Sequence, residues 1–282
     1  MRILLTGRNG QVGWELERSL APHGELIALD RQQLDLGDEA SIRRATRAAA
    51  PNVIVNAVAY TAVDGAESEP ARASAVNGIA PGILAEEARR CDALLVHYST
   101  DYVFDGEKGA PYREDDPPSP VSVYGRSKLE GEQAIQASGC RHLVLRTGWV
   151  YAARGNNFVR TVLRLARERG ELSVVGDQIG APTAAHELAA ATATLLAQGP
   201  PADGIYHLSA AGQTSWYDYA LAIVSLAGLA DTKIRRITTA EYPTAARRPR
   251  FSVLSNEKIR NAARIALADW RTPLEAICRA LR

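Results

Sequence analysis

The stretch Ile3-Leu4-Leu5-Thr6-Gly7-Arg8-Asn9-Gly10-Gln11-Val12-Gly13 decides the reading of the fold. A short apolar run enters a turn with glycines at positions 7, 10 and 13, and Trp14 to Leu20 continues with helical period. Glycines at a strand-to-helix turn permit the tight bend, let backbone approach a pyrophosphate, and leave the helix N-terminus pointing free N–H groups at the anion. The context therefore predicts a dinucleotide site at Gly7, Gly10 and Gly13. A second strand ends at Asp30, 20 residues beyond Gly10, where a carboxylate would take ribose hydroxyls. Arg31 follows at once, and with Arg8 it offers positive charge to a 2'-phosphate, so NADPH and NADH both stay open. Asp35 and Leu36 would flank the adenine, or form a charged turn.

Outward from this turn, β-branched apolar runs alternate with helical segments, the pattern of a parallel sheet covered by helices on both faces. Strands are predicted at Ile3 to Thr6, Leu26 to Asp30, Val53 to Asn56, Leu94 to Ser99 and Leu143 to Arg146. Helices are predicted at Gln11 to Leu20, Asp38 to Ala50 with Asp38 as cap, Ala71 to Arg90, and Val121 to Ala137. Residues 1–150 thus read as a dinucleotide-binding α/β unit. Residues 151–282 read as a smaller, mixed substrate lobe with some chain returning to the first unit. Its expected strands are Leu172 to Val175 and Ile205 to Leu208, and its helices Phe158 to Arg169, His186 to Gln198, Trp216 to Leu226, Glu257 to Arg260 and Pro273 to Leu281. The acidic, proline-rich run Arg113 to Pro120 is either a solvated loop or a cover over a substrate.

The 282 residues are 46% hydrophobic and 23% charged, the balance of a globular chain rather than a disordered or fibrous one. The formal net charge of +1 gives no footprint for nucleic acid or an anionic membrane. The longest apolar stretch, Ala220 to Ala230, is far short of the roughly 20 residues that span a bilayer, and no secretory leader is read. Cys91, Cys140 and Cys278 lack any CxxC spacing and read as reduced thiols of a cytoplasmic protein. His97 sits inside an apolar strand and reads as a satisfied core residue; the other histidines show no metal spacing.

Tyr124 and Lys128 lie four residues apart on one predicted helix face. A phenol is a weak acid near neutrality, and a neighbouring ammonium brings its pKa toward the working range. The pair follows the strand ending Ser99-Thr100-Asp101, at the carboxyl edge where doubly wound sheets bind ligands.

Four separated motifs, Gly7-x-x-Gly10-x-x-Gly13, Asn56-Ala-Val-Ala-Tyr-Thr61, Ser99-Thr-Asp-Tyr-Val-Phe104 and Tyr124-x-x-x-Lys128, together resemble the extended short-chain dehydrogenase/reductases. Tyr60 to Pro70, Arg146 to Tyr151, Gly155 to Phe158 and Asp177 to Thr183 narrow the resemblance to the dTDP-4-dehydrorhamnose reductase family, over essentially the whole chain. The resemblance implies a Rossmann-type fold and NAD(P)H-dependent reduction of the C4 keto group of dTDP-4-dehydro-L-rhamnose. It makes Tyr124 the proton donor, Lys128 the group that lowers the Tyr124 pKa and holds the nicotinamide ribose, and Thr100 a hydrogen-bonder to the reacting oxygen. Gly10, Gln11 and Val12 would carry the pyrophosphate, Asp30, Asp35 and Leu36 the adenosine end, and Ala59, Tyr60 and Thr61 the length of the cofactor. Thr100, Asp101, Tyr124 and Trp149 would meet the sugar nucleotide, with Asn156, Asn157, Gln178 and Arg248 as further candidates.

Some members of this family hold Mg²⁺ between subunits through carboxylates. Glu15 matches the first position, but His186, with Glu187 beside it, takes the second and Ala280 the third. No metal is therefore expected, and monomer and homodimer both stay open. A dehydratase of the same superfamily is disfavoured because Tyr102, not Glu, follows Thr100-Asp101; an epimerase, or a non-catalytic NADP-binding regulatory subunit, is the remaining rival.

Overall fold

The computed structural model describes residues 1–281. Its centre is a six-stranded, all-parallel sheet. The strands are β1 (Arg2–Thr6), β2 (Glu25–Leu29), β3 (Val53–Asn56), β4 (Leu94–Thr100) and β5 (His142–Thr147), completed by Gly204–His207. Their order is 204–207, β5, β4, β3, β1, β2. Every residue of β3, β4 and β5 is buried, which explains why these segments read as continuous apolar runs. Chain direction across the sheet reverses between β1 and β3, the switch point at which such sheets open a crevice at their carboxyl ends.

Helix α1 (Gln11–Leu20) and the helix Ala185–Gln198 cover one face, joined to it through Leu5, Leu16, Val55, Val96, Leu188 and Leu195. Helix α2 (Glu39–Ala49), capped by the Asp38 side chain on Ala40 N–H, and the helix Ala80–Arg90 cover the other around Ile42, Ile54, Leu84 and Val144. The second half therefore supplies a sheet strand and a covering helix besides its own core, which gathers Tyr151, Leu163, Tyr219, Ile223, Trp270 and Leu274.

The structure departs from the sequence reading in several elements. The helix expected over 71–90 is broken into Pro70–Ser74, a π-turn at Ala75–Ile79 and the helix Ala80–Arg90, and a short helix at Val63–Ser68, unread in the sequence, precedes it. The wider turn carries Asn77 inward, where it is completely buried. A strand at Lys233–Ile237, unread because Lys-Ile-Arg-Arg-Ile has little apolar content, pairs parallel with Glu171–Val175. The run 113–120 is pinned to the body: Glu114 accepts from His207 N–H at 2.8 Å and Ser119 N–H donates to Val103 O at 2.8 Å.

Candidate active site

The glycine turn closes at the switch point. Gly7 adopts φ +76°, and a Cβ on Gly13 would lie 2.0 Å from Gly7 O, so the helix can cross the turn only without a side chain. Gly10 caps α1 without offering a side chain, and Trp14 N–H is the first backbone donor turned back into the helix, onto Gly10 O at 3.0 Å. The N–H groups of Gln11 and Val12 are left for an anion at the positive end of the helix. This cradle fits a dinucleotide pyrophosphate. At the end of β2, Asp30 accepts from Gln32 N–H and Gln33 N–H, and exposed Arg31 sits 3.7 Å from Asp35. Leu36 is buried, and Asp35 accepts from Gly37 N–H. Arg8 departs from expectation: its guanidinium pairs with Glu17 of α1 and reaches Ala28 O, so it is committed within the protein rather than free for a phosphate.

Past β3, the segment holding Ala59, Tyr60 and Thr61 is fastened by Asn77. Its Oδ1 accepts from Tyr60 N–H at 2.8 Å, and its Nδ2 donates to Tyr60 O and to Ser127 Oγ at 3.0 Å each. The π-turn thus ties the loop after β3 to the helix Val123–Ser138 that bears Tyr124 and Lys128. Ser122 caps that helix through Gly125 N–H.

Tyr124 meets Thr100 by a side-chain hydrogen bond and Tyr102 edge-on, with ring centroids 5.8 Å apart. Burial pushes the Tyr124 phenol up to about 12, with the Thr100 bond opposing it. Thr100 also donates to Asp101 Oδ1 at 3.1 Å and accepts from Tyr102 N–H at 3.1 Å. Asp101, 2% exposed, is raised to about 6 by burial, against hydrogen bonds from Ser252 and Thr100. Lys128, 1% exposed, is pulled down to about 8 by burial. Its Nζ contacts His97 Nε2 at 3.0 Å and Tyr98 O at 2.7 Å rather than the phenol, so in this structure it is burial, not the ammonium, that sets the proton affinity of Tyr124. Beneath them Glu132 grips Arg146 through two nitrogens, with Arg146 Nη2 2.6 Å from Oε2.

Trp149 is half-buried with φ +51°, a costly backbone for so large a residue, and stacks on Trp216 with centroids 3.4 Å apart. Of the further candidates, Arg248 forms a two-point ion pair with Asp64 and stands near Tyr102. Gln178 donates to Thr239 Oγ1. Asn157 is a strut, not a free group: its Oδ1 caps Arg160 N–H, while Nδ2 serves Gln11 Oε1 and Ala152 O at 2.8 Å each. Exposed Asn156 lines an outer cleft of about 300 Å³ with Arg160 and Arg164, and Thr100, Tyr124 and Lys128 are not among its lining. Among the described residues, no three His, Cys, Asp or Glu side chains cluster for a metal. Burial raises the Glu187 carboxyl, which accepts from the Ala268 backbone, so it is turned inward. The donor set does not fit Mg²⁺. Asn77, Ser252 and Trp216 escaped the sequence reading, since no local pattern marks a side chain whose partner comes from a distant segment.

Across residues 1–282 the chain matches the family described as the RmlD substrate binding domain. It is similar to a dTDP-4-dehydrorhamnose reductase of Burkholderia thailandensis, 52% identical over 285 residues and 96% of each chain. It is likewise similar to one of Escherichia coli K12, 47% identical over 283 residues, 96% of this chain and 95% of that one. Among solved structures, it matches the dTDP-4-dehydrorhamnose reductase of Bacillus anthracis in complex with NADP, with TM-score 0.93, 34% identity and 99% of each chain covered.

Proposed function

We infer the reaction from one premise: the chain belongs to the RmlD substrate binding domain family. The protein is an NADPH-dependent oxidoreductase that reduces the C4 keto group of dTDP-4-dehydro-L-rhamnose to give dTDP-L-rhamnose, a precursor for cell-surface polysaccharide. The relatives at 47–52% identity carry that activity in their names, and the Bacillus anthracis structure holds NADP. The observation that supports assigning the chemistry to particular residues is the meeting of Tyr124 with Thr100, above Lys128, at the carboxyl edge of the sheet.

The reduced nicotinamide supplies the hydride that goes to C4. Gly7, Gly10, Gln11, Val12 and Gly13 would hold its pyrophosphate, Asp30, Arg31, Asp35 and Leu36 its adenosine end, and Ala59, Tyr60, Thr61 and Lys128 its remaining length. Tyr124 gives its phenolic proton to the ketone oxygen as that oxygen gains negative charge. A phenol raised to about 12 stays protonated throughout the neutral range, the state a proton donor must be in. Thr100 and Asp101 orient the carbonyl, and Trp149, stacked on Trp216, lines the sugar side. Residues 1–150 mainly form the cofactor unit and 151–282 the substrate lobe, with 204–207 returned to the sheet. We place the enzyme in the cytoplasm, where its cysteines stay reduced; they form no disulfide among the described residues, and no helix there is long and apolar enough to cross a membrane. It needs no nucleic acid, and acts as a monomer or homodimer.

The test is turnover of enzymatically generated dTDP-4-dehydrorhamnose, followed by loss of reduced-nicotinamide absorbance. Tyr124→Phe should lower kcat by about 10²- to 10⁴-fold while cofactor affinity stays within a few-fold. More than half of wild-type turnover would overturn the role of Tyr124.

A further inference from the structure

Thr6, Asn56 and His97 occupy one level of three neighbouring strands, in register as Thr6↔Asn56 and Asn56↔His97. All three are completely buried, and the row ends on Lys128, which reaches it from the helix above. Its hydrogen-bond directions are fixed from one end. The backbone N–H of Val58 can only donate, and it does so to Asn56 Oδ1 at 3.2 Å, where Thr6 Oγ1 also donates at 2.8 Å. That sets the amide: Asn56 Nδ2 faces His97 Nδ1 at 3.0 Å and donates to it. A neutral imidazole with an accepting Nδ1 carries its proton on Nε2. The Nε2–H then points at Lys128 Nζ, 3.0 Å away.

An ammonium has three donors and no lone pair, so it would oppose this N–H donor to donor; a neutral amine accepts it and still donates to Tyr98 O. We propose that Asn56 and His97 are positioning residues that disfavour the ammonium of Lys128, and so favour its neutral amine, before cofactor and substrate enter. The inference rests on the reading above that Lys128 lines the cofactor site beside Tyr124 and Thr100. The surrounding charges agree. Glu132, one turn along the same helix, favours the ammonium, but it is committed to Arg146 of β5 and to Ser99 of β4. Among the described residues no carboxylate contacts Nζ, and Asp101 and Tyr124 nearby are themselves raised toward their neutral forms. An unpaired buried ammonium is costly. Burial keeps His97 neutral, so the imidazole does not take up the proton that the lysine lacks.

The chain has only four lysines, Lys108, Lys128, Lys233 and Lys258, and five histidines, so nitrogen-15 NMR of each type resolves them. In the cofactor-free wild type, His97 should appear as the Nε2–H tautomer, and Lys128 Nζ, assigned by its absence in Lys128→Met, should titrate at least about two pH units below the other lysines. Asn56→Asp turns the donor facing Nδ1 into an acceptor and reverses the row; the Lys128 midpoint should then rise by about one to two pH units. A His97 Nδ1–H tautomer, or a wild-type lysine titrating with the other three, overturns the proposal whether or not Asn56→Asp folds. So does a folded Asn56→Asp enzyme with an unmoved midpoint. These spectra need no turnover, so failure here leaves the reductase reading standing, and an enzyme inert toward the sugar nucleotide leaves the titration intact.

Discussion

Replacing Glu132 by Gln strands a guanidinium in the interior. Glu132 is 0% exposed and Arg146 1%, and they share three hydrogen bonds of 2.6–3.2 Å, with Ser99 Oγ adding a fourth to Oε1 at 2.5 Å. The amide keeps the volume but loses the charge, and turns an NH₂ toward one of these donors. Removing one partner of a buried pair costs about 3–5 kcal/mol, because the remaining ion has neither water nor counter-charge. Arg146 Nη1 is already buried without a protein partner, which leaves little slack for the cation to rearrange. With an unfolding entropy of roughly 0.6 kcal/mol/K for a chain of this length, Tm should fall by roughly 5–9 °C. Circular-dichroism melting of Glu132→Gln beside wild type measures this, with Ser99→Ala as a control that should cost only about 1 kcal/mol. The double variant Glu132→Leu with Arg146→Met removes both charges and should recover most of the loss. A fall of less than about 2 °C in Glu132→Gln, or a double variant no better than the single, would refute the claim that Arg146 depends on this carboxylate.

Asp30→Ala combined with Arg31→Ala should change the NADPH-to-NADH ratio of kcat/KM and leave KM for the sugar nucleotide within about two-fold; steady-state kinetics with each cofactor decides it. Enzyme stripped with EDTA should retain its turnover and its sedimentation coefficient, and a loss restored by Mg²⁺ would contradict the reading of His186, Glu187 and Ala280. Arg47, then Arg43 and Arg90, holds the Glu87 carboxyl down at about 2. A depressed carboxylate contributes stability that is complete above its unfolded value of 4.5 and is lost as pH falls toward 2, so Glu87→Gln should flatten the acid limb of Tm against pH within that window.

Local sequence determined the elements. The strands of the central sheet lie within two residues of their predicted bounds, and Gln11–Leu20, Phe158–Arg169 and Trp216–Leu226 match theirs. Backbone period and glycine placement act within a dozen residues, and so does the four-residue spacing that puts Tyr124 and Lys128 on one face. What Lys128 touches was not legible there. His97 read as a satisfied core residue, and it is one, but its partners lie 31 and 41 residues away: Asn56 is brought to it by the register of β3 and β4, and Lys128 by the packing of the helix Val123–Ser138 on the sheet. The same holds for Asn77, turned inward by a π-turn that helical period does not announce, and for Asn157, whose amide is spent on Gln11, 146 residues earlier. Strand order and helix packing choose such pairs, and they are settled by the burial of the whole core rather than by any short stretch of chain.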